Sequence, residues 1–191
     1  MNTLQAIAQR RSIRKFEDKP IPKETLEQVL KAATEAPSGK NRQPWHFYVV
    51  QGDKRAEMVR LMREGIAKLE AQGVNSGSSK WSANIMEQAP VTVFVFNPYA
   101  EVGQALQNIG DWLMNTVDVQ SAGAAIQNML LAALDLGLGS LWICDVFYAI
   151  EELSGWLGET HQLIAAVALG YPAESPDPRP RKPLGEVVEW V

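Results

Sequence analysis

The spacing of apolar positions divides the chain into alternating helices and strands. Leu4, Ile7 and Ala8 fall at helical spacing and predict a short first helix ending near Arg10 or Arg11. Pro22 suits the first turn of a second helix, where its missing N–H costs nothing. Leu26, Val29, Leu30 and Ala33 form an apolar stripe, so Lys23 to Ala36 predicts an amphipathic helix that Pro37 stops. After the loop PSGKNRQPW, His46 to Val50 reads as a strand. Asp53 to Ala71 predicts a third helix, with Met58, Leu61, Met62, Ile66 and Leu69 as its apolar points. QGVNSGSSKWS, Gln72 to Ser82, has almost no periodicity and reads as a mobile loop or lid. VTVFVF, Val91 to Phe96, is a continuous apolar run, as in a strand buried on both faces. Asp118 to Leu136 is apolar nearly all round and belongs at the centre of a core or an interface, with Gly137 as its stop. Ser140 to Cys144 and Leu163 to Leu169 predict further strands, with a short helix, Ala149 to Leu157, between them. From Gly170 the pattern changes: five prolines between positions 172 and 183 exclude a helix and favour an extended arm. There are no internal repeats. Helices alternating with strands predict a single layered domain over residues 1–191, α+β or α/β.

Composition narrows the function. The chain has 191 residues, enough for one substantial core, and a net charge of −4. Nothing global attracts nucleic acid or an anionic membrane, so any cationic cluster acts locally. No apolar run approaches the roughly 20 residues that span a bilayer. In MNTLQAIAQRR the charge follows the apolar part, the wrong order for a secretory signal, and the chain reads as cytoplasmic. Its single cysteine, Cys144, excludes an intrachain disulfide and a cysteine-based metal cage. That residue ends an apolar strand and reads as a buried, inert thiol. His46 and His161, the two histidines, do not have metal-ligand spacing. There is no G-x-S-x-G elbow and no Walker A loop. LGLGSLW lacks the third glycine of a dinucleotide-binding turn and precedes a strand. An enzyme of this composition would take its chemistry from a bound cofactor.

Three stretches remain. RRSIR, Arg10 to Arg14, offers planar guanidinium forks and a serine hydroxyl, which match phosphate oxygens. Alone, it reads as a solvated basic turn. APSGKNRQPWHF, Ala36 to Phe47, carries Ser38, Asn41 and Gln43 in a loop able to hydrogen-bond the polar edge of a flat heterocycle; alone, it reads as a turn that satisfies its own backbone. PRPRKPL, Pro178 to Leu184, is a proline-stiffened basic arm that would lose little entropy on docking; alone, it passes for a solvated tail.

Together, RRSIRKF, APSGKNRQPWHF, QNMLLAALDLGLGSLWI and LGYPAESPDPRPRKPLGEVV, in this order, closely resemble the nitroreductase family of FMN flavoproteins. The resemblance runs from about Leu4 to Val188. It implies an α+β, three-layer fold with a central, mainly antiparallel sheet flanked by helices. It also implies an intertwined homodimer with two FMN molecules at the interface, to which the helix at Asp118 to Leu136 and the C-terminal arm would contribute. By resemblance, Arg10, Ser12 and Arg14, together with Arg11, would contact the FMN phosphate and ring edge. Pro37, Ser38 and Asn41 would reach the FMN of the partner subunit. Arg181, with Lys182 or Arg179, would close on the phosphate. Ile143, Cys144 and Asp145 would lie near the flavin and offer N5 a backbone N–H. The implied activity is hydride transfer from NADH or NADPH through flavin N5 to a nitroaromatic, quinone or similar flat acceptor, in a ping-pong order. No side chain need act as nucleophile in such a scheme. A cation near the flavin N1–C2=O edge would stabilise the reduced, anionic ring.

GVNSGSSKWSANIM carries no signature of the family, so Lys80 and Asn84 stay without an assigned role. A substrate lid would come from Gly73 to Ser82 or from Tyr99 to Thr116. Trp81 and Trp112 lie in those stretches and read as packing residues before stacking ones. Three other functions compete: flavin binding without turnover, dehalogenating or flavin-fragmenting chemistry on the same fold, and a basic arm that docks an acidic partner. The acidic total charge disfavours the last.

Overall fold

A computed structural model describes residues 1–101 and 108–191 of the chain. Six α-helices lie in the described residues: α1 Thr3–Gln9, α2 Lys23–Thr34, α3 Lys54–Ala71, α4 Ser79–Gln88, α5 Ile109–Asp135 and α6 Ile150–Leu157. The strands are β1 His46–Gln51, β2 Val91–Glu101, β3 Gly139–Ile143 and β4 His161–Gly170. They form one sheet in the order β1-β2-β4-β3, with every neighbouring pair antiparallel. No described helix is long and apolar enough to cross a membrane.

Strand alternation splits the core in two. Val91, Val93 and Val95 of β2 join Ala165, Val167 and Leu169 of β4 on one face, covered by α2 and α5. Phe94 and Phe96 join Ala166 and Ala168 on the other, under α3, α4 and α6. This is the expected three-layer α+β arrangement, and it explains why VTVFVF has no polar side: both of its faces are covered.

Four expectations change. Ser79 to Gln88 is helix, although QGVNSGSSKWS reads as loop through Ser82. The buried face of α4 is Ser79, Ser82 and Ala83 in its first turns and turns large and apolar only at Ile85 and Met86, beyond the stretch that reads as loop. Helix α5 starts nine residues earlier than Asp118, at Ile109. There the Asn108 side chain accepts from the Asp111 N–H at 3.0 Å, an N-cap. Strand β2 runs past Phe96 to Glu101, with register shifts that bend it. Cys144 is exposed rather than buried. It follows the last residue of β3, an edge strand, and opens a 3-10 turn over Asp145–Ala149, so strand alternation no longer governs it.

Candidate functional site

The RRSIR stretch leaves α1 in extended conformation, because the Arg10 backbone turns to φ −56°, ψ 131° after its N–H caps the helix. It then lies along the open edge of β3: Ser12 forms a parallel bridge with Ser140, and Ile13 N–H donates to the Ser140 carbonyl at 3.0 Å. Ile13 and Phe16 point into the core, which turns the arginines outward. The arm is stitched to the same segment. Glu17 N–H donates to the Tyr171 carbonyl and Ala173 N–H to the Lys15 carbonyl, each at 2.9 Å. Phe16 bridges Pro172. The Glu174 carboxylate accepts from the backbone N–H groups of Arg14, at 2.5 Å, and of Lys15, at 3.2 Å.

This stitching leaves a cavity of about 440 Å³ between the two basic motifs. Arg10, Arg11, Ser12, Arg14, Arg179 and Arg181 line it, with Asp177 as the acidic member. Among the described residues, none of these five guanidinium groups is paired with a carboxylate. Arg11 donates to the carbonyls of Ala8 and Arg10, and Arg14 to that of Ser12. Partial burial, then repulsion from Arg181 and from Arg11, lowers the pKa of Arg10 from its ordinary value. A basic surface built only for solubility would spread such charges apart. This one concentrates them around a concavity.

The other expected site residues lie elsewhere in the chain. Lys182 is next to Arg181 but does not line the cavity. Pro37, Ser38 and Asn41 belong to the α2–β1 loop, where the Ser38 hydroxyl accepts from Gln43 N–H at 3.0 Å and Gly39 N–H donates to the Ser121 hydroxyl at 3.3 Å. Cys144 and Asp145 sit at the end of β3. The Asp145 carboxylate accepts from Ser78 at 2.9 Å and from Ser82 at 2.5 Å, tying α4 to this strand end. Desolvation raises the Cys144 thiol above its ordinary pKa; a hydrogen bond to Trp142 opposes this and Asp145 adds to it. The thiol is therefore protonated at neutral pH and a poor nucleophile.

Lys80 pairs with Glu70 at 2.8 Å, and Asn84 accepts from Arg63 at 3.0 Å, so both are engaged with α3. Trp81 and Trp112 are about half exposed, at 53% and 51%, rather than packed. The Arg14 guanidinium lies 5.2 Å from the centre of the Trp81 ring, a cation–π contact at the edge of the cavity region. Part of the second lid stretch, residues 102–107, lies outside the described residues. Glu174 had no sequence signal beyond its place two residues after Pro172, because its partners are backbone groups 160 and 159 positions away.

Comparison with known proteins agrees with this architecture. The model of the Nitroreductase family matches residues 7–171. A protein of Methanothermobacter thermautotrophicus, provisionally named NADH dehydrogenase/NAD(P)H nitroreductase, is 33% identical over 94% of this chain and 82% of its own length. The iodotyrosine deiodinase of Thermotoga neapolitana is 29% identical over 94% of this chain and 91% of its own. A Desulfovibrio desulfuricans protein provisionally described as a nitroreductase, crystallised in complex with FMN, superposes with a TM-score of 0.75 at 31% identity, covering 98% of this chain and 96% of that one. The chain belongs to the nitroreductase family.

Proposed function

We propose that this protein is an FMN-dependent oxidoreductase that works as a homodimer, taking electrons from NADH or NADPH and giving them to a flat acceptor such as a nitroaromatic or quinone. The observation that carries this reading is the cavity of about 440 Å³ ringed by five guanidinium groups, none of them in an ion pair among the described residues. A phosphate monoester fits that chemistry: it brings about two negative charges, and each charge-assisted hydrogen bond to it contributes roughly 1.5–3 kcal/mol. FMN held there by Arg10, Arg14 and Arg181 would supply the hydride chemistry that links the nicotinamide to an acceptor using the same pocket, in a ping-pong order.

The chain's own residues bind and orient. Arg10, Arg14 and Arg181 hold the phosphate and the polar ring edge, Arg11 and Arg179 add positive potential, and Ser12 supplies a hydroxyl. Glu174 keeps the backbone of Arg14 and Lys15 in register with the arm, so the two halves of the phosphate site face each other. Asp145 is engaged by two serines, which leaves the backbone at the end of β3 as its contribution to the ring edge. Pro37, Ser38 and Asn41 complete the site of a second copy. Reductive dehalogenation of a halogenated phenol is the second reading, favoured by the likeness to a deiodinase.

The test is spectroscopic. The purified protein is expected to be yellow with bound FMN, and to bleach when NADH or NADPH is added without oxygen. A panel of nitroaromatics, quinones and halogenated phenols then ranks the acceptors. A protein that neither carries nor takes up FMN sinks the reading.

A further inference from the structure

The loop between α2 and β1 stores backbone strain. Lys40, Asn41 and Gln43, none of them glycine, have φ of 55°, 54° and 52°. Side chains disfavour that left-handed region, so the surroundings must impose it. The surroundings are α5 and β2. Arg42 makes a two-bond fork with Asp118, Nε to Oδ1 and Nη2 to Oδ2, both at 3.1 Å. The Asp118 side chain is 3% exposed, and burying a carboxylate there is worthwhile only with such a partner. The Tyr99 ring stacks on the same guanidinium at 4.2 Å, and its hydroxyl donates to the Arg42 carbonyl at 3.0 Å. Gly39 lies so close to Val117 that a side chain at this position has no room.

The loop does not serve the arginine cavity of its own chain. Arg10 and Arg11 line a second cavity together with Leu134, near the C-terminal end of α5, whereas the loop is fastened at Asp118 and Ser121. Thirteen helical positions separate Ser121 from Leu134, about 20 Å along the axis.

We propose that Arg42, Asp118 and Tyr99 form a positioning clamp that holds Ser38 and Asn41 for the cofactor site of a second copy of the chain. This rests on the shared-site homodimer proposed above. Asp118 therefore acts in trans: its loss harms the partner's site and leaves its own arginine cavity intact.

Mixed dimers test this. FMN dissociation constants and the number of tight sites per dimer are measured for Asp118→Asn, for Arg14→Ala and for heterodimers isolated from two differently tagged chains. Each altered homodimer is expected to bind FMN about tenfold or more weakly, as loss of one or two hydrogen bonds predicts. The heterodimer is expected to recover one tight site, because one of its two sites then carries neither change. Should Asp118→Asn not fold, Arg42→Lys, which keeps the charge and loses the fork, takes its place. Heterodimers whose sites are all weak, or an Asp118→Asn homodimer that binds FMN like the unaltered protein, overturn the clamp alone. An unaltered protein that binds FMN as a monomer overturns the clamp and the shared-site dimer together.

Discussion

Arg14 has three contacts at once. Its backbone N–H is held by Glu174, its guanidinium donates to the Ser12 carbonyl, and the same group lies over Trp81. Replacing it by alanine keeps the backbone bond and removes the charge. Arg14→Ala is expected to weaken FMN binding by roughly 1.5–3 kcal/mol, the range for a charge-assisted hydrogen bond, which a fluorescence titration reads directly. An unchanged dissociation constant would assign the phosphate to the other arginines. Glu159 carries a different prediction, about pH. Its burial pushes the carboxyl pKa up, but the His161 backbone N–H, the Tyr48 hydroxyl and the His161 ring outweigh it and hold the pKa below the ordinary value. A carboxyl lowered by folding contributes stability above its unfolded pKa, about 4.3, and loses it as pH falls through the folded value. The difference in urea midpoint between the unaltered protein and Glu159→Gln is therefore expected to be largest near neutrality and to shrink below about pH 4. A difference that stays constant with pH contradicts this assignment.

Elements are placed by close approaches that a sequence pattern does not carry. Helix α3 crosses the start of α6 at Gly65, where an added Cβ would lie 2.5 Å from the Ala149 Cβ and 2.7 Å from a Glu152 carboxylate oxygen. Glycine inside a helix normally costs about 0.5–1 kcal/mol relative to alanine. Here the sign reverses: Gly65→Ala is expected to destabilise by about 1–3 kcal/mol, through overpacking, in a urea titration. A gain in stability would show that α6 moves aside freely. Helix α4 shows the reverse limit of pattern reading. Its Ser78 and Ser82 are spent on Asp145, a residue more than sixty positions away, so their value as helix residues is visible only once β3 lies beside them. Strand β2 and helix α2 are the opposite case. Their apolar runs are long and regular, and burial alone accounts for them.

At the scale of the whole molecule, the chain leaves apolar surface uncovered. Leu4 and Ile7 of α1 are exposed, and so are Ile109, Trp112 and Leu113 at the start of α5. An α5 whose first turns leave Ile109, Trp112, Leu113 and Val119 exposed suits the homodimer proposed above. Trp112→Glu is expected to shift the protein toward monomer in size-exclusion chromatography with light scattering, and to lower FMN retention with it. A variant that stays dimeric places the interface elsewhere.

The alternation of helices and strands, the doubly buried strand β2, the basic character of RRSIR and of the proline arm, and the family were all legible in the amino-acid order. These are local properties: periodicity, stiffness and charge survive in any conformation of the chain. Which of them meet depends on packing. It brought Arg10 to Arg14 against Arg179 and Arg181, assigned Glu174 to backbone groups across the chain, exposed Cys144 at a sheet edge and buried Asp118 beneath Arg42. The reason is physical. A charge becomes a site, and a carboxylate becomes a clamp, through neighbours that chain connectivity does not specify and packing does.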